Sequence, residues 1–131
     1  MTGSSHGRFR LSKKQRLRKR PEYLACYTRG KRYFSKRFIL FALPRAMDGQ
    51  GARLGTAVSR KIGKSVRRNR LKRLLREFFR LHQEEMDRDV DLVIVPKKGI
   101  DVRSIRYSDL EEDLGPAVRR IMNDLARNNR E

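Results

Sequence analysis

Between Ser59 and Arg80 the chain reads SRKIGKSVRRNRLKRLLREFFR, with ten Lys or Arg and a single acid, Glu77. Lysine and arginine heads reach phosphates, and each phosphate they neutralise releases condensed cations. Arginine also hydrogen-bonds in a bidentate fork and stacks on bases. Asn69 sits between Arg68 and Arg70. Its amide donates and accepts at once, which suits positioning of a phosphate, a water or a hydrated metal ion. On spacing alone a solvated amide fits equally well. The chemistry of this stretch is polyanion binding, and it poses a problem, because like charges three or four apart on a helix repel.

Groups for covalent chemistry are sparse. The histidines are His6 and His82, the one cysteine is Cys26, and none of them forms a cluster with zinc spacing. A metal-dependent nuclease needs several carboxylates beside a basic groove. Residues 1–80 offer only Glu22, Asp48 and Glu77, and Glu77 lies within helix ion-pair reach of Arg73 and Arg80. The Asp89–Val90–Asp91 triplet borders an apolar run in the other, nearly neutral part of the chain. There is no Ser–His–Asp set and no glycine-rich phosphate loop. A self-sufficient enzyme is not expected.

Tyr23, Tyr27 and Phe41 are candidates for a base-stacking surface of the kind single-stranded nucleic acid uses. Each alone reads as core. As a group flanked by Arg16, Arg18, Lys19, Arg20 and Arg37 they read as a stacking platform.

These residues must be held by elements. Pro21 suits a first helical turn and Gly30 an end, which predicts a helix over about 21–29. The stretch YFSKRFILFALP predicts one strand, with Phe34, Phe38, Leu40 and Ala42 on one side and Arg37, Ile39, Phe41 and Leu43 on the other. After the DGQG turn, a second strand is expected over about 53–60, hairpin-paired with the first. Gly63 breaks the pattern, and Ser65 is expected to cap the basic helix. On that helix Leu71, Leu74, Leu75, Phe78 and His82 form one stripe, with Asn69, Lys72, Arg73, Arg76 and Arg80 opposite. DVDLVIVP predicts a strand buried on both faces, over about 90–95. A last helix starts near Ser108, kinked or split at LGPA, with Glu111–Asp113 as an acidic outer face suited to its dipole.

The order helix, strand, strand, basic helix, strand, helix makes a compact α/β sandwich. At 131 residues this is one domain. Residues 1–15 read as a basic, flexible arm and 16–128 as a single RNA-binding domain. The net charge is +19. Residues 1–80 carry 25 Lys/Arg against 3 Asp/Glu, a net of +22, and residues 81–131 carry 9 against 12, a net of −3. A basic half beside a neutral half points to one face for a polyanion. The N-terminus has no apolar secretory core and no run is long enough to span a membrane. The apolar stripe is that of a core helix and not of an interfacial membrane helix. A lone cysteine fits a reducing cytoplasm.

The run RLGTAVSRKIGKSVRRNRLKRLLREFFR resembles the signature of the protein subunit of bacterial ribonuclease P. The upstream RLRKRPEYLACYTRGKR and the closing DLVIVPKKG fit the same layout, so the resemblance spans about residues 9–127. It implies an α+β sandwich with a small mixed sheet of about four strands and about three helices. It also implies a left-handed β-α-β crossover, a rare hand that periodicity does not reveal. The catalyst would be RNA, and the holoenzyme would hydrolyse the phosphodiester that yields the mature 5′ end of tRNA. The protein would bind the ribonuclease P RNA subunit through Arg68, Asn69, Arg70, Lys72, Arg73 and Arg76. It would bind the 5′ leader of precursor tRNA in a cleft of Tyr23, Tyr27, Arg37, Phe41, Ser59 and Lys61. No catalytic or metal-binding residue is expected on the protein, and the Mg²⁺ the holoenzyme requires would sit on RNA. Tyr23 and Tyr27 stand where the family often has Phe, which keeps the stacking face. The rival reading is a structural, ribosomal-type RNA-binding protein.

Overall fold

The computed structural model describes residues 13–130. Its regular elements are helix α1 (Arg20–Arg29), strands β1 (Lys31–Phe34), β2 (Phe38–Pro44) and β3 (Arg53–Thr56), helix α2 (Ser65–Leu81), strand β4 (Val90–Pro96) and helix α3 (Tyr107–Arg130). Short 3₁₀ turns lie at Lys13–Gln15, Arg60–Ile62 and Gln83–Glu85. Most of the expected arm lies outside the described residues.

The four strands form one mixed sheet in the order β1-β2-β4-β3. β4 is central because it is apolar on both faces, and it pairs along all seven residues with β2, antiparallel. β3 pairs with β4 in parallel, so the intended hairpin between β2 and β3 does not form. Parallel neighbours need a long crossover, and here it is α2.

The two faces of the sheet differ. Phe38, Leu40 and Ala42 of β2 and Val90, Leu92 and Ile94 of β4 point to the main core. Leu71, Leu75, Phe78 and Phe79 of α2 and Leu110, Leu114, Val118 and Ile121 of α3 close over them. The other face carries Val93, Phe41, Leu43, Ala57 and Val95, and among the described residues α1, through Cys26 and Tyr23, together with Leu17 covers part of it.

The stretch 33–44 is two strands and not one. Ser35 closes the turn: its amide donates to the Phe38 carbonyl at 2.9 Å, and the Phe38 amide donates back to Ser35 Oγ at 3.0 Å. Asp113 of α3 completes it. Its carboxylate accepts the Lys36 amide at 2.8 Å and the Arg37 amide at 2.9 Å. Asp113 is therefore a turn cap with a side chain only 4% exposed, not part of an acidic outer face. Splitting the strand also overturns the placing of Phe34 with the core. Tyr33 points inward, and Phe34 alternates to the opposite face, 54% exposed. Asp113→Ala removes two charge-assisted bonds to backbone amides, and we expect it to lower unfolding free energy by about 2 kcal/mol. Denaturant unfolding measures this, and Asp113→Asn, which keeps one acceptor, should lose less.

Two helices differ from expectation. Ser65 is the first helical residue of α2, and the N-cap position falls on Lys64, whose side chain makes no capping bond. α3 runs through Leu114-Gly115-Pro116 without a break. Pro116 is exposed, so the carbonyl deprived of its N–H donor lies on the hydrated side of the helix.

Candidate nucleic-acid interface

At about 100° per residue, α2 does not present its cations as one row. Leu71, Leu75, Phe78 and Phe79 define the buried side. Asn69 and Arg73 lie on the crest opposite, both exposed. Arg68, Lys72 and Arg76, spaced by four, run down one flank. Arg70 lies on the other flank beside Leu74. The Arg68–Asn69–Arg70 triplet thus straddles the helix. Arg68 is tied locally, its Nε donating to the Gly63 carbonyl at 3.2 Å. Glu77 pairs with Arg80 at 2.6 Å, the helix ion pair the spacing suggested.

Each flank meets a different neighbour. Arg70, Arg73, Leu74 and Glu77 line an open cavity of about 520 Å³ with Tyr107, the first residue of α3. Arg70 Nη1 and the Tyr107 hydroxyl are buried there without a hydrogen-bond partner among the described residues. Burial pushes the Tyr107 phenol up to about 12, so it stays a donor. Nothing in the local sequence pattern singles out Tyr107.

On the opposite flank Arg76 shares a small cavity with Arg16, Leu17, Tyr23, Leu54 and Thr56. This is where the basic helix meets the aromatic face. Tyr23 is fixed by its hydroxyl, which donates to the Leu17 carbonyl at 3.3 Å. Gly55 makes room for its ring: a Cβ there would meet the ring carbons at 2.9 Å. One turn further along α1, Tyr27 sits edge-on to Phe41 of β2, with centroids 5.0 Å apart and planes at 78°. Tyr27 remains 39% exposed, so this pair is a surface and not a core contact. Burial raises the pKa of both tyrosines, which stay neutral.

The structure brings Tyr23, Tyr27 and Phe41 together on the α1 face. Ser59 and Lys61 are exposed on the segment that leaves β3 for α2. Arg37 lies apart, in the β1–β2 turn. Its guanidinium is 3.8 Å from Asp113, and it lines a separate groove of about 330 Å³ with Lys36, Lys97, Lys98, Gly99, Ile100 and Asp101.

The acids near the basic half are engaged in ion pairs. Asp91 holds Arg45 and Arg53, Asp48 holds Arg45, and Glu22 lies 3.4 Å from Arg53. Asp89 accepts the amides of Asp48, Gly49 and Gly51, which fixes the loop before β3. Among the described residues no three His, Cys, Asp or Glu side chains gather to hold a metal. Cys26 is buried, and desolvation pushes its thiol up to about 11, so it is no nucleophile. Among the described residues no helix is long and apolar enough to cross a membrane.

Comparison with known proteins follows the same lines. The family described as Ribonuclease P matches residues 11–122. A ribonuclease P protein component of Oleidesulfovibrio alaskensis is 50% identical over 117 residues, 89% of this chain and 94% of that protein. One from Desulfovibrio desulfuricans is 48% identical over 118 residues, 90% of this chain and 91% of its own. The solved RNase P protein from Thermotoga maritima superposes with a TM-score of 0.73 at 33% identity, covering 80% of this chain and 96% of that one.

Proposed function

The chain belongs to the ribonuclease P protein family, and from that premise we propose that it works as a two-sided RNA clamp in tRNA 5′ maturation. As the protein subunit of ribonuclease P it acts with an RNA. The ribosomal-type alternative is not favoured.

The basic helix α2 docks on the ribonuclease P RNA subunit through Arg68, Asn69, Arg70, Lys72, Arg73 and Arg76. The α1 face takes the 5′ leader of precursor tRNA through Tyr23, Tyr27, Phe41, Ser59 and Lys61, with Arg37 further along the sheet. The observation that carries this reading is the cavity shared by Arg76 and Tyr23. It makes the cationic helix and the aromatic face one continuous surface, so a leader lying on the face stays beside the RNA bound to the helix.

The protein supplies binding and not bond breaking. The hydrolysis uses divalent ions such as Mg²⁺ when they are bound. The carboxylates near the basic surface are poor candidates to hold them, because Asp91, Asp48, Glu22 and Glu77 already face arginines. We place the ions on the RNA. Tyr27 offers its ring to a leader base, and α2 neutralises phosphates that would otherwise repel the incoming substrate.

Cleavage of 5′-labelled precursor tRNA tests the assignment, with protein alone, ribonuclease P RNA alone, and both together at moderate Mg²⁺. Only the mixture should cut efficiently at the mature 5′ end. Protein that leaves the RNA's activity unchanged would overturn it. In the same assay Tyr27→Ala should weaken substrate binding by about 1–3 kcal/mol, the range of a base–aromatic stack. That loss should disappear when the leader is shortened to a single nucleotide.

A further inference from the structure

The proposed leader surface does not end at Tyr27 and Phe41. Arg32 of β1 lies opposite Phe41 in the ladder. One row further along the strands, Phe34 lies opposite Ile39, and Ile39 lies opposite Val95. Ala57 continues this row beyond β3, its amide donating to the Ile94 carbonyl at 3.0 Å. Strands about 4.8 Å apart make this an apolar path of roughly 14 Å across the sheet. α1 packs over Val93 and Phe41 in the neighbouring row, while Phe34 stays 54% exposed at the β1 end.

Phe34 is not a bare apolar edge. Lys97 Nζ lies 5.7 Å from its ring centroid, within cation–π range. Lys97 also belongs to the cationic groove of Lys36, Arg37 and Lys98. An exposed aromatic ring with an ammonium beside it, at the mouth of a basic groove, has the composition of a base-stacking site with phosphate neutralisation alongside. An apolar protein partner would leave those lysines without counter-charges.

We propose that Phe34 and Lys97 form a second stacking subsite for single-stranded RNA, engaging leader nucleotides further from the Tyr27–Phe41 pair. This rests on the reading of the α1 face as the leader surface. It also explains how Arg37, which is remote from Tyr27, joins that surface: the row of Phe34, Ile39 and Val95 lies between them. The subsite is sequence-tolerant, because every base has a face to stack.

The test is substrate binding by the reconstituted holoenzyme, using precursor tRNAs with progressively shorter leaders. Phe34→Ala should weaken binding of the long-leader substrate about fivefold to tenfold, the lower part of the stacking range. Phe34→Tyr should restore it, and Phe34→Leu should not. The Phe34→Ala defect should vanish at a leader length where the Tyr27→Ala defect persists. Because Phe34 is solvent-exposed, unchanged melting of these variants is expected and checks the fold. A Phe34→Ala protein equal to the parent at every leader length, while Tyr27→Ala still shows leader dependence, overturns the subsite and leaves the leader cleft standing. A Phe34→Ala loss that ignores leader length also overturns it, assigning the ring to the RNA subunit. A Tyr27→Ala defect that ignores leader length overturns the cleft instead, and the Phe34 series is then read by itself.

Discussion

Replacing Asp91 by Ala lowers the unfolding free energy by about 3 kcal/mol, the lower end of the cost of breaking a buried ion pair from one side. Asp91 sits in β4, 6% exposed. Its Oδ1 accepts Arg45 Nη1 at 3.0 Å and Arg53 Nε at 2.8 Å, and its Oδ2 accepts Arg53 Nη2 at 2.8 Å. Without the carboxylate, two largely desolvated guanidinium groups lose their shared partner. Arg45 keeps Asp48 and Asp89, and Arg53 keeps Glu22, which is why the lower end applies. The chain also has few acids to lose: 15 against 34 Lys and Arg.

A domain of this size is stable by only about 5–15 kcal/mol, so the loss is a large fraction of the total. Thermal unfolding should show a midpoint lower by roughly 10 °C. Asp91→Asn keeps one acceptor oxygen and should fall between the parent and Asp91→Ala. A midpoint shift below about 2 °C for the alanine variant would mean that the cluster behaves as a set of hydrated surface pairs.

The same acid shows where sequence reasoning stops. The Asp89–Val90–Asp91 triplet is plain in the sequence, but its partners lie about 40 residues away. No local period links Asp91 to Arg45 and Arg53, or Asp113 to the turn at Lys36 and Arg37. In residues 45–53 local pattern therefore shows the DGQG turn but not that Asp89 and Asp91 organise the loop. Strand pairing fails to read out for a related reason. The period-2 pattern tells which residues are extended and not which strand they join, so β3 was free to pair with β4 instead of β2. A Ser-Lys-Arg turn lacks the glycine or asparagine that marks most tight hairpins, so β1 and β2 read as one strand and Phe34 falls on the wrong face. What local pattern does carry is α2, β4 and the cation spacing between Arg68 and Arg76, because each is set by neighbours within two helical turns or one strand. The contact between Tyr27 and Phe41 brings separate elements together: aromatic type and flanking arginines suggest the group, and the family resemblance implies the cleft.

Binding of the protein to the ribonuclease P RNA subunit should fall steeply with salt. Five cations are assigned to this contact: Arg68, Arg70, Lys72, Arg73 and Arg76. At about 0.7–0.9 counterions released per phosphate neutralised, the logarithmic slope is near −4, so a fourfold rise in monovalent salt weakens binding roughly 250-fold. The geometry of α2 makes this more than a statement about net charge. Arg73 stands exposed on the crest, whereas Arg80 is held by Glu77 at 2.6 Å. Arg73→Ala should therefore flatten the slope by about one, and Arg80→Ala should leave it nearly unchanged. Arg68→Ala should flatten it too, at some cost in stability, because Arg68 also holds the Gly63 carbonyl. Filter-binding or fluorescence titrations across a salt series give all four slopes. Equal flattening by Arg73→Ala and Arg80→Ala would mean that the RNA senses only the diffuse field of the basic half, and the assigned face would fall. Unequal flattening would explain why a packing helix tolerates so much like charge: the crest and its flanks are complementary to phosphates, and the RNA removes the repulsion that the free helix carries.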